Sequence, residues 1–171
     1  MTQGDHPLAG VRVLEVGEGF AVAYAGKVLA DFGAEVVKAE PPGGDPLRRA
    51  PPLVETGAGP ESALFAWLCT NRRSITADAA TPEGLARLGA WLRGGDVLLD
   101  GRTPAARAAS PIPGSDAPGL IACDLSWFGE TGPYAGFAGT DAVARALAGV
   151  PFCTGPAEGP PQILDGFPGE T

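Results

Sequence analysis

The sequence predicts an α/β protein built on a Rossmann-like parallel sheet with helices on both faces. Short apolar runs alternate along the chain with segments whose apolar residues recur at helical spacing. The runs are apolar throughout instead of at every second residue, which is typical of strands that are buried on both faces. At 171 residues the chain has the length of one domain, and we predict a single domain over residues 1–171.

The N-terminal part predicts a strand, a helix and a second strand. The run VRVLEVG (11–17) is rich in β-branched residues, and AVAYAGKVLADFG (21–33) then carries Ala, Val and Leu at helical spacing. Gly33 is placed to end this helix, because glycine readily adopts the left-handed conformation found at helix C-termini. AEVVKAE (34–40) predicts the next strand, which a Pro-Pro pair ends because proline cannot donate to a sheet.

The rest of the chain continues this alternation. We predict a helix over 62–71, a strand over 73–78, a helix over 81–95, strands over 96–100 and 119–126, and a helix over 142–150. Thr81 and Asp141 are placed to cap two of these helices, because their side chains accept hydrogen bonds from the first helical turn. The segment GVPFCTG (149–155) is strand-like.

Composition excludes several classes of function. Twelve Lys and Arg residues stand against 20 Asp and Glu, and the net charge of -8 argues against a nucleic-acid surface. The N-terminal MTQGDHPLAG lacks the basic start and apolar core of an export signal, and no run approaches the roughly 20 apolar residues that span a bilayer. We therefore predict no nucleic-acid partner, no membrane contact and a cytoplasmic location.

Cysteine and histidine usage argues against a metal site. Cys69, Cys123 and Cys153 lie far apart without a C-x-x-C pair, which predicts reduced and mostly buried thiols. The single histidine, His6, lies in the N-terminal segment, so neither a zinc centre nor a histidine-based catalytic pair is expected.

The basic residues are concentrated in two short segments. Five of the 12 are Lys38, Arg48, Arg49, Arg72 and Arg73. In parallel sheets, ligands bind beyond the carboxyl ends of the strands, and the segment from Glu40 to Arg49 follows such a strand end. A local anion pocket is one interpretation of this clustering, and a set of solvated surface cations is the other.

The segment GEGFAV (17–22) partly matches a dinucleotide-binding fingerprint. Glu40 follows at a suitable distance for a ribose hydroxyl, but Val22 stands where the third glycine is required. A flexible turn explains the same glycines without any ligand.

Five longer segments occur in a familiar order: PLAGVRVLEV, LADFGAEVVKAEPPGGDPLRR, NRRSITADAATPEG, SWFGETGPYAG and GTDAVARALAGV. Each resembles a signature segment of the class III CoA-transferases, a family that includes formyl-CoA and carnitine CoA-transferases and α-methylacyl-CoA racemase. The resemblance extends from Pro7 to about Pro168.

The resemblance implies that this half of the protein binds coenzyme A or an acyl-CoA as a substrate, with no tightly bound cofactor, together with a carboxylic acid. Cations and backbone N–H groups would meet the phosphates of CoA. The implied CoA-binding residues are Phe20, Ala21, Lys38, Arg48, Arg49, Arg72, Arg73, Asp100 and Gly101. Glu40 is interpreted as a structural acceptor that holds the Pro/Gly segment after it, in preference to a ribose ligand.

The family's transferases use a carboxylate nucleophile that lies shortly after a GPP turn. This chain has GPPQILDGFPGET there, and ungapped alignment places Glu170 at the nucleophile position. Alignment on G-x-P places Thr171 there instead, and Asp165 lies several residues early. We predict Glu170 as the catalytic residue.

The chain also departs from the family pattern. Thr140 stands where the racemase carries a histidine base, which disfavours racemisation because threonine transfers no proton near neutral pH. Asp100 and Gly101 stand in place of a Glu-Asn pair, and the segment 100–119 predicts an Ala/Pro-rich link in place of the family's helix.

Family members are longer and form interlaced dimers, whereas this chain stops at Thr171, where the second part of the family's fold is expected. We therefore expect a homo-oligomer or a complementary subunit. Three hypotheses follow: a CoA-transferase or its N-terminal subunit, a non-catalytic acyl-CoA-binding scaffold, and an oxidoreductase with a nicotinamide cofactor.

Overall fold

A computed structural model describes residues 6–160 and residue 162. The chain divides into two compact units, Met1–Leu125 and Ser126–Thr171. The strands are β1 (Arg12–Val16), β2 (Glu35–Glu40), β3 (Leu53–Thr56), β4 (Gly59–Ser62), β5 (Arg73–Thr76), β6 (Val97–Asp100) and β7 (Ile121–Asp124). The helices are α1 (Phe20–Asp31), α2 (Ala63–Leu68), α3 (Pro82–Leu92), α4 (Pro104–Ala109) and α5 (Asp141–Leu147), with short 3₁₀ helices at Pro46–Arg49 and Val150–Cys153.

The first unit is built around a five-stranded sheet in the order β5-β2-β1-β6-β7, and all its strand pairs are parallel. The predicted Rossmann-like parallel sheet is thus confirmed. β3 and β4 form a separate antiparallel hairpin.

Helices pack on both faces of the sheet, as the apolar strands predict. On one face, buried side chains of β1, β2 and β6 pack against α1; the cluster comprises Val13, Val22, Ala30, Ala34, Val36 and Leu99. On the other face, β1 and β6 pack against α3; the buried cluster includes Leu14, Val16, Leu88, Leu92, Leu98 and Ile112. Alternate residues of β1 therefore face different helices.

Helix ends follow local sequence signals in most places. The Thr81 side chain accepts a hydrogen bond from the Gly84 backbone N–H at the start of α3, as predicted. Gly33 has a φ of 97° directly after the C-cap of α1, which confirms its role in ending that helix.

Three local predictions were wrong. The segment 100–119 contains a helix, α4, because Thr103 caps it and Pro104 occupies its first turn, where no N–H is needed. Asp141 is the first residue of α5 and pairs with Arg145, while Thr140 supplies the cap. The strand-like segment 149–155 forms a 3₁₀ helix, which begins after Gly149 in the left-handed conformation.

The cysteines are free thiols, but the prediction that they are mostly buried was wrong. Cys123 and Cys153 are exposed and Cys69 is partly buried. Cys123 is exposed because β7 is an edge strand whose four residues all face solvent. Within residues 6–160, no helix combines the length and the apolar character needed to cross a bilayer.

Candidate functional site

The strand order creates a topological switch point between β1 and β6. The chain leaves β1 towards β2 on one side and leaves β6 towards β7 on the other side. The loops that follow β1 and β6 therefore diverge at the carboxyl edge of the sheet, which is where ligands of open α/β sheets bind.

Two glycines allow these loops to touch. Gly17 has a φ of 102°, and a Cβ atom there would lie 2.7 Å from the carbonyl carbon of Gly101. A Cβ atom on Gly101 would in turn lie 2.8 Å from the Cβ of Val22 in α1. A side chain at Gly17 would separate the two loops, and one at Gly101 would collide with α1, so the predicted CoA-binding Gly101 is also needed for packing.

The N-terminus of α1 opens onto this edge of the sheet. The N-cap residue, Gly19, has no side chain to cap the helix, and its φ of 104° requires glycine. Phe20 is buried and its ring stacks on that of Tyr24 at 5.9 Å, while Ala21 is half-buried. The electropositive end of a 12-residue helix therefore lies directly after β1.

A buried ionic cluster lies between α1 and the sheet, formed by Glu15, Lys38, Asp45 and Arg72. Lys38 Nζ lies 2.8 Å from Glu15 Oε1 and 2.7 Å from Asp45 Oδ2. Burial alone lowers the pKa of Lys38, but the neighbouring Glu15 and Asp45 carboxylates raise the pKa above its ordinary value. Lys38 therefore stays charged although its side chain is only 2 % exposed.

Arg72 completes the cluster by forming an ion pair with the second carboxylate oxygen of Glu15. It also donates to the Leu68 carbonyl oxygen at the end of α2. The pair occupies space that α1 leaves at Gly26, because a Cβ atom there would collide with the Glu15 carboxylate and the Arg72 guanidinium. The four charges of the cluster balance, as buried ions require.

Glu40 holds the Pro/Gly loop that follows β2. Its carboxylate accepts hydrogen bonds from the backbone N–H of Asp45 at 2.9 Å and from Arg48 Nε and Nη2 at 2.6 and 2.7 Å. Ser74 on β5 donates to it as well. Burial raises the pKa of Glu40, but these bonds outweigh burial and lower its pKa to about 2. The prediction that Glu40 is a structural acceptor is confirmed.

Four of the five cations of the basic segments lie around one small cavity of about 110 Å³ on the α1 face of the sheet. Its lining residues are Lys38, Glu40, Arg48, Phe65, Cys69, Arg72, Arg73 and Ser74. The Arg48 guanidinium also lies 4.2 Å from the centre of the Phe65 ring. Burial raises the pKa of Cys69 to about 11, so this thiol stays protonated at neutral pH.

Each cation that lines this cavity has a carboxylate partner. Lys38 and Arg72 share Glu15, Arg48 pairs with Glu40, and the 66 % exposed Arg73 pairs with Glu35. The cavity is therefore close to electrically neutral, in contrast to a simple anion pocket. Arg49 lies outside the cavity lining, is exposed and donates to the Gly43 carbonyl oxygen at 3.0 Å.

Asp100 lies on the opposite face of the sheet, in a second ion cluster. Arg102 forms a bidentate interaction with its carboxylate: Nε donates to Oδ1 at 3.0 Å and Nη2 donates to Oδ2 at 2.7 Å. Arg107 donates to the Asp100 carbonyl oxygen at 3.1 Å, and its Nε lies 3.6 Å from Asp124. Asp100 thus holds the start of α4 in place.

Sequence reasoning missed both arginines of this second cluster. They line a cavity of about 170 Å³ with Leu98, Asp100, Pro111, Ile112, Ser115, Ala122 and Asp124. An acid at a strand end followed two residues later by Arg102 is the signal that points to this cluster. Glu170, Thr171 and Asp165 lie outside the described residues.

Comparison with known proteins agrees with the sequence resemblance. The family described as CoA-transferase family III matches residues 8–167. Succinate--glutarate CoA-transferase of Agrobacterium fabrum is 39 % identical over 164 residues, which are 91 % of this chain and 41 % of the relative. The succinyl-CoA--L-malate CoA-transferase alpha subunit of Chloroflexus aurantiacus is 37 % identical over 172 residues, covering 96 % of this chain and 37 % of the relative.

A solved structure gives the same result for the fold. The crystal structure of a CAIB/BAIF family protein from Brucella suis has a TM-score of 0.86 and 32 % identity, and the match covers 94 % of this chain and 44 % of that one. The chain thus spans about two fifths of the length of the curated relatives it matches.

Proposed function

Because this chain belongs to CoA-transferase family III, we propose that its Rossmann-like unit binds the CoA thioester in a reaction that transfers CoA between carboxylic acids. The family match over residues 8–167 carries the proposal. The topological switch point supports it, because open α/β sheets bind ligands at this place. CoA enters as a substrate and not as a tightly bound cofactor.

The first turn of α1 and the arginines of the two basic segments are proposed to meet the phosphates of CoA. The first turn of α1, at Phe20 and Ala21, presents the electropositive end of the helix. Arg48, Arg49 and Arg73 are exposed, and the guanidinium N–H groups that their protein partners do not use can donate to phosphate oxygens.

The buried residues predicted at the site are proposed to act indirectly, by holding the loops in place without contacting CoA. Lys38 and Arg72 support the loops from beneath, since their side chains are 2 % and 1 % exposed. Gly101 permits close approach of the backbone, and Asp100 orients Arg102 at the end of β6.

Glu170 is proposed as the nucleophile. Its carboxylate would attack the thioester carbonyl, expel the CoA thiolate and form a mixed anhydride. The thiolate would then attack the glutamyl carbonyl, releasing the first acid and leaving a glutamyl-CoA thioester. Attack by the second substrate's carboxylate and return of the thiolate to the new acyl group would regenerate Glu170.

Hydroxylamine trapping tests this chemistry. The protein is incubated with succinyl-CoA, because succinate or succinyl-CoA occurs in the names of the relatives. Hydroxylamine then converts an activated carboxylate into a hydroxamate that peptide mass spectrometry locates. We expect the label on Glu170, its loss in Glu170→Gln and its retention in the matched variant Asp165→Asn. A label on Asp165 instead would contradict the assignment.

A second candidate is a CoA-binding subunit that works with a complementary chain carrying the nucleophile. The Chloroflexus relative is an alpha subunit, which favours this alternative. It predicts CoA binding without any hydroxamate on this chain, and a label on the partner's carboxylate when the complementary chain is added.

A further inference from the structure

We infer that Lys38 is a positioning residue that joins the loops after β1 and β2 and thereby sets the shape of the CoA-binding edge. The inference rests on the proposed function, which identifies CoA as the ligand of this edge. It rests on the contacts of the buried ionic cluster for its geometry.

Lys38 contacts both of the segments that it would join. Its Nζ atom lies 2.8 Å from Glu15 near the end of β1, and 2.7 Å from Asp45 in the loop after β2. The carbonyl oxygen of Gly17, the first residue of the loop after β1, is 3.4 Å away. One ammonium group therefore ties the two loops at the carboxyl edge.

The loop after β2 is also held by hydrogen bonds within itself and to its own strand. Asp45 Oδ1 accepts the backbone N–H of Leu47 at 2.8 Å, and the Asp45 N–H donates to Glu40 at 2.9 Å. These bonds shape the second loop internally. The Lys38 contact is different because it relates the second loop to β1, across two neighbouring strands.

Burial makes a direct role in phosphate binding unsuitable for Lys38. The side chains of Lys38, Glu15 and Asp45 are 2 %, 0 % and 1 % exposed. A phosphate would have to displace two carboxylates that lie within ion-pair distance of the ammonium group. The ammonium group therefore binds Glu15 and Asp45 and is not available to a phosphate.

Stability alone does not explain why charged groups occupy this place. Buried ion pairs contribute little net stability compared with apolar side chains of similar size, because both ions lose their hydration. α1 also carries glycine at position 26, where a Cβ atom would collide with Glu15 and Arg72. The helix and the sheet thus both accommodate the cluster, which points to a positional role.

The test needs a variant that removes the tether, defined as the contacts of Lys38 with Glu15 and Asp45, and keeps the charges balanced. Lys38→Met alone would leave two carboxylates against Arg72 and is expected to unfold the protein. In Lys38→Met/Asp45→Asn the remaining Glu15 and Arg72 balance, and the new amide oxygen can still accept the Leu47 N–H.

A matched control is available on α1. Lys27 and Asp31 form an ion pair at 2.9 Å one helical turn apart, and Asp31 is partly exposed. Lys27→Met/Asp31→Asn makes the same two chemical changes outside the two loops. Both double variants are expected to melt within about 5 °C of the wild type.

Hydrogen exchange of the whole chain measures how firmly the tether holds the two loops, and it needs no ligand. Peptides covering 17–22 and 41–49 should exchange about tenfold faster in Lys38→Met/Asp45→Asn, and at the wild-type rate in the control. Calorimetry should show CoA binding about tenfold weaker in the same variant, because disordered loops must be ordered on binding.

The outcomes separate the inference from the proposed function. Unchanged exchange in both loops, in a folded variant, overturns the inference. Faster exchange with unchanged CoA affinity also overturns it, since the tether would not shape the binding edge. If the wild type does not bind CoA, the proposed function fails, and the exchange comparison alone then decides whether Lys38 joins the loops.

Discussion

At the scale of single residues, Glu40 holds a loop whose composition suggests flexibility. Two prolines and two glycines follow it, yet its carboxylate binds the backbone of Asp45 and the guanidinium of Arg48. The sequence predicts this role because an acid at a strand end, followed eight residues later by Arg48, suits a local bond. It does not predict that Lys38 pairs with Glu15, because Glu15 lies on another strand.

The loss of stability in acid should depend on Glu40. Its folded-state pKa of about 2 lies below the ordinary value of 4.5, so its contribution is complete above pH 4.5 and is lost as the pH falls towards 2. This lowering of the pKa corresponds to a contribution on the order of 3 kcal/mol. Glu40→Gln should therefore show a flatter fall in unfolding free energy between pH 5 and 3, measured by urea titration.

The control for this prediction is Glu55→Gln, at an exposed position of β3. It should lose stability in acid as the wild type does. Parallel losses for wild type and Glu40→Gln would show that the Glu40 bonds do not stabilise the fold.

At the scale of elements, burial decides what could be predicted. β1, β2 and β6 are largely buried and rich in Val and Leu, so local composition identifies them. The hairpin of β3 and β4 has exposed residues and includes Pro60, so its pairing depends on contacts that a short sequence window does not contain. α4 was missed because its sequence, PAARAA, has no large apolar residue and buries no side chain, so no helical pattern is visible.

Gly26 in the middle of α1 gives the sharpest prediction at this scale. Helix propensity favours Ala over Gly by about 1 kcal/mol, so propensity alone predicts that Gly26→Ala stabilises the protein. The structure predicts the opposite, a loss of about 1–3 kcal/mol, because the new methyl group would collide with Glu15 and Arg72. Urea unfolding measures the difference.

Gly57→Ala is the matched control, since a Cβ atom there would have no neighbour within 4 Å. It should change the unfolding free energy by less than about 0.5 kcal/mol. A stabilised Gly26→Ala variant would mean that the ionic cluster moves aside without cost.

At the scale of the whole molecule, the resemblance predicts the fold and the family, whereas the charge balance of the site was not predictable. The basic segments suggest a positive pocket in sequence, because the compensating acids belong to strands distant in the chain. Glu15 precedes Arg72 by 57 residues, and Glu35 precedes Arg73 by 38. Only the folded chain brings these charges together.

The second unit predicts self-association or pairing with another chain. Its helix α5 and the following 3₁₀ helix expose Leu147 to 67 % and Phe152 to 92 %. Sedimentation velocity at micromolar concentration should show dimers or larger species, which Leu147→Glu/Phe152→Glu should dissociate. Val54→Glu, on the exposed hairpin, should leave the profile unchanged. A clean wild-type monomer would contradict the prediction.

Calorimetric comparison of CoA, dephospho-CoA and NAD tests the central claim that this chain binds coenzyme A. The family relationship predicts that CoA binds most tightly, and that dephospho-CoA is weaker because it lacks the 3'-phosphate, which guanidinium groups bind well. NAD should bind weakest, because Val22 replaces the third glycine of the dinucleotide fingerprint. NAD binding as tight as that of CoA would contradict the account and return the nicotinamide-dependent oxidoreductase to consideration.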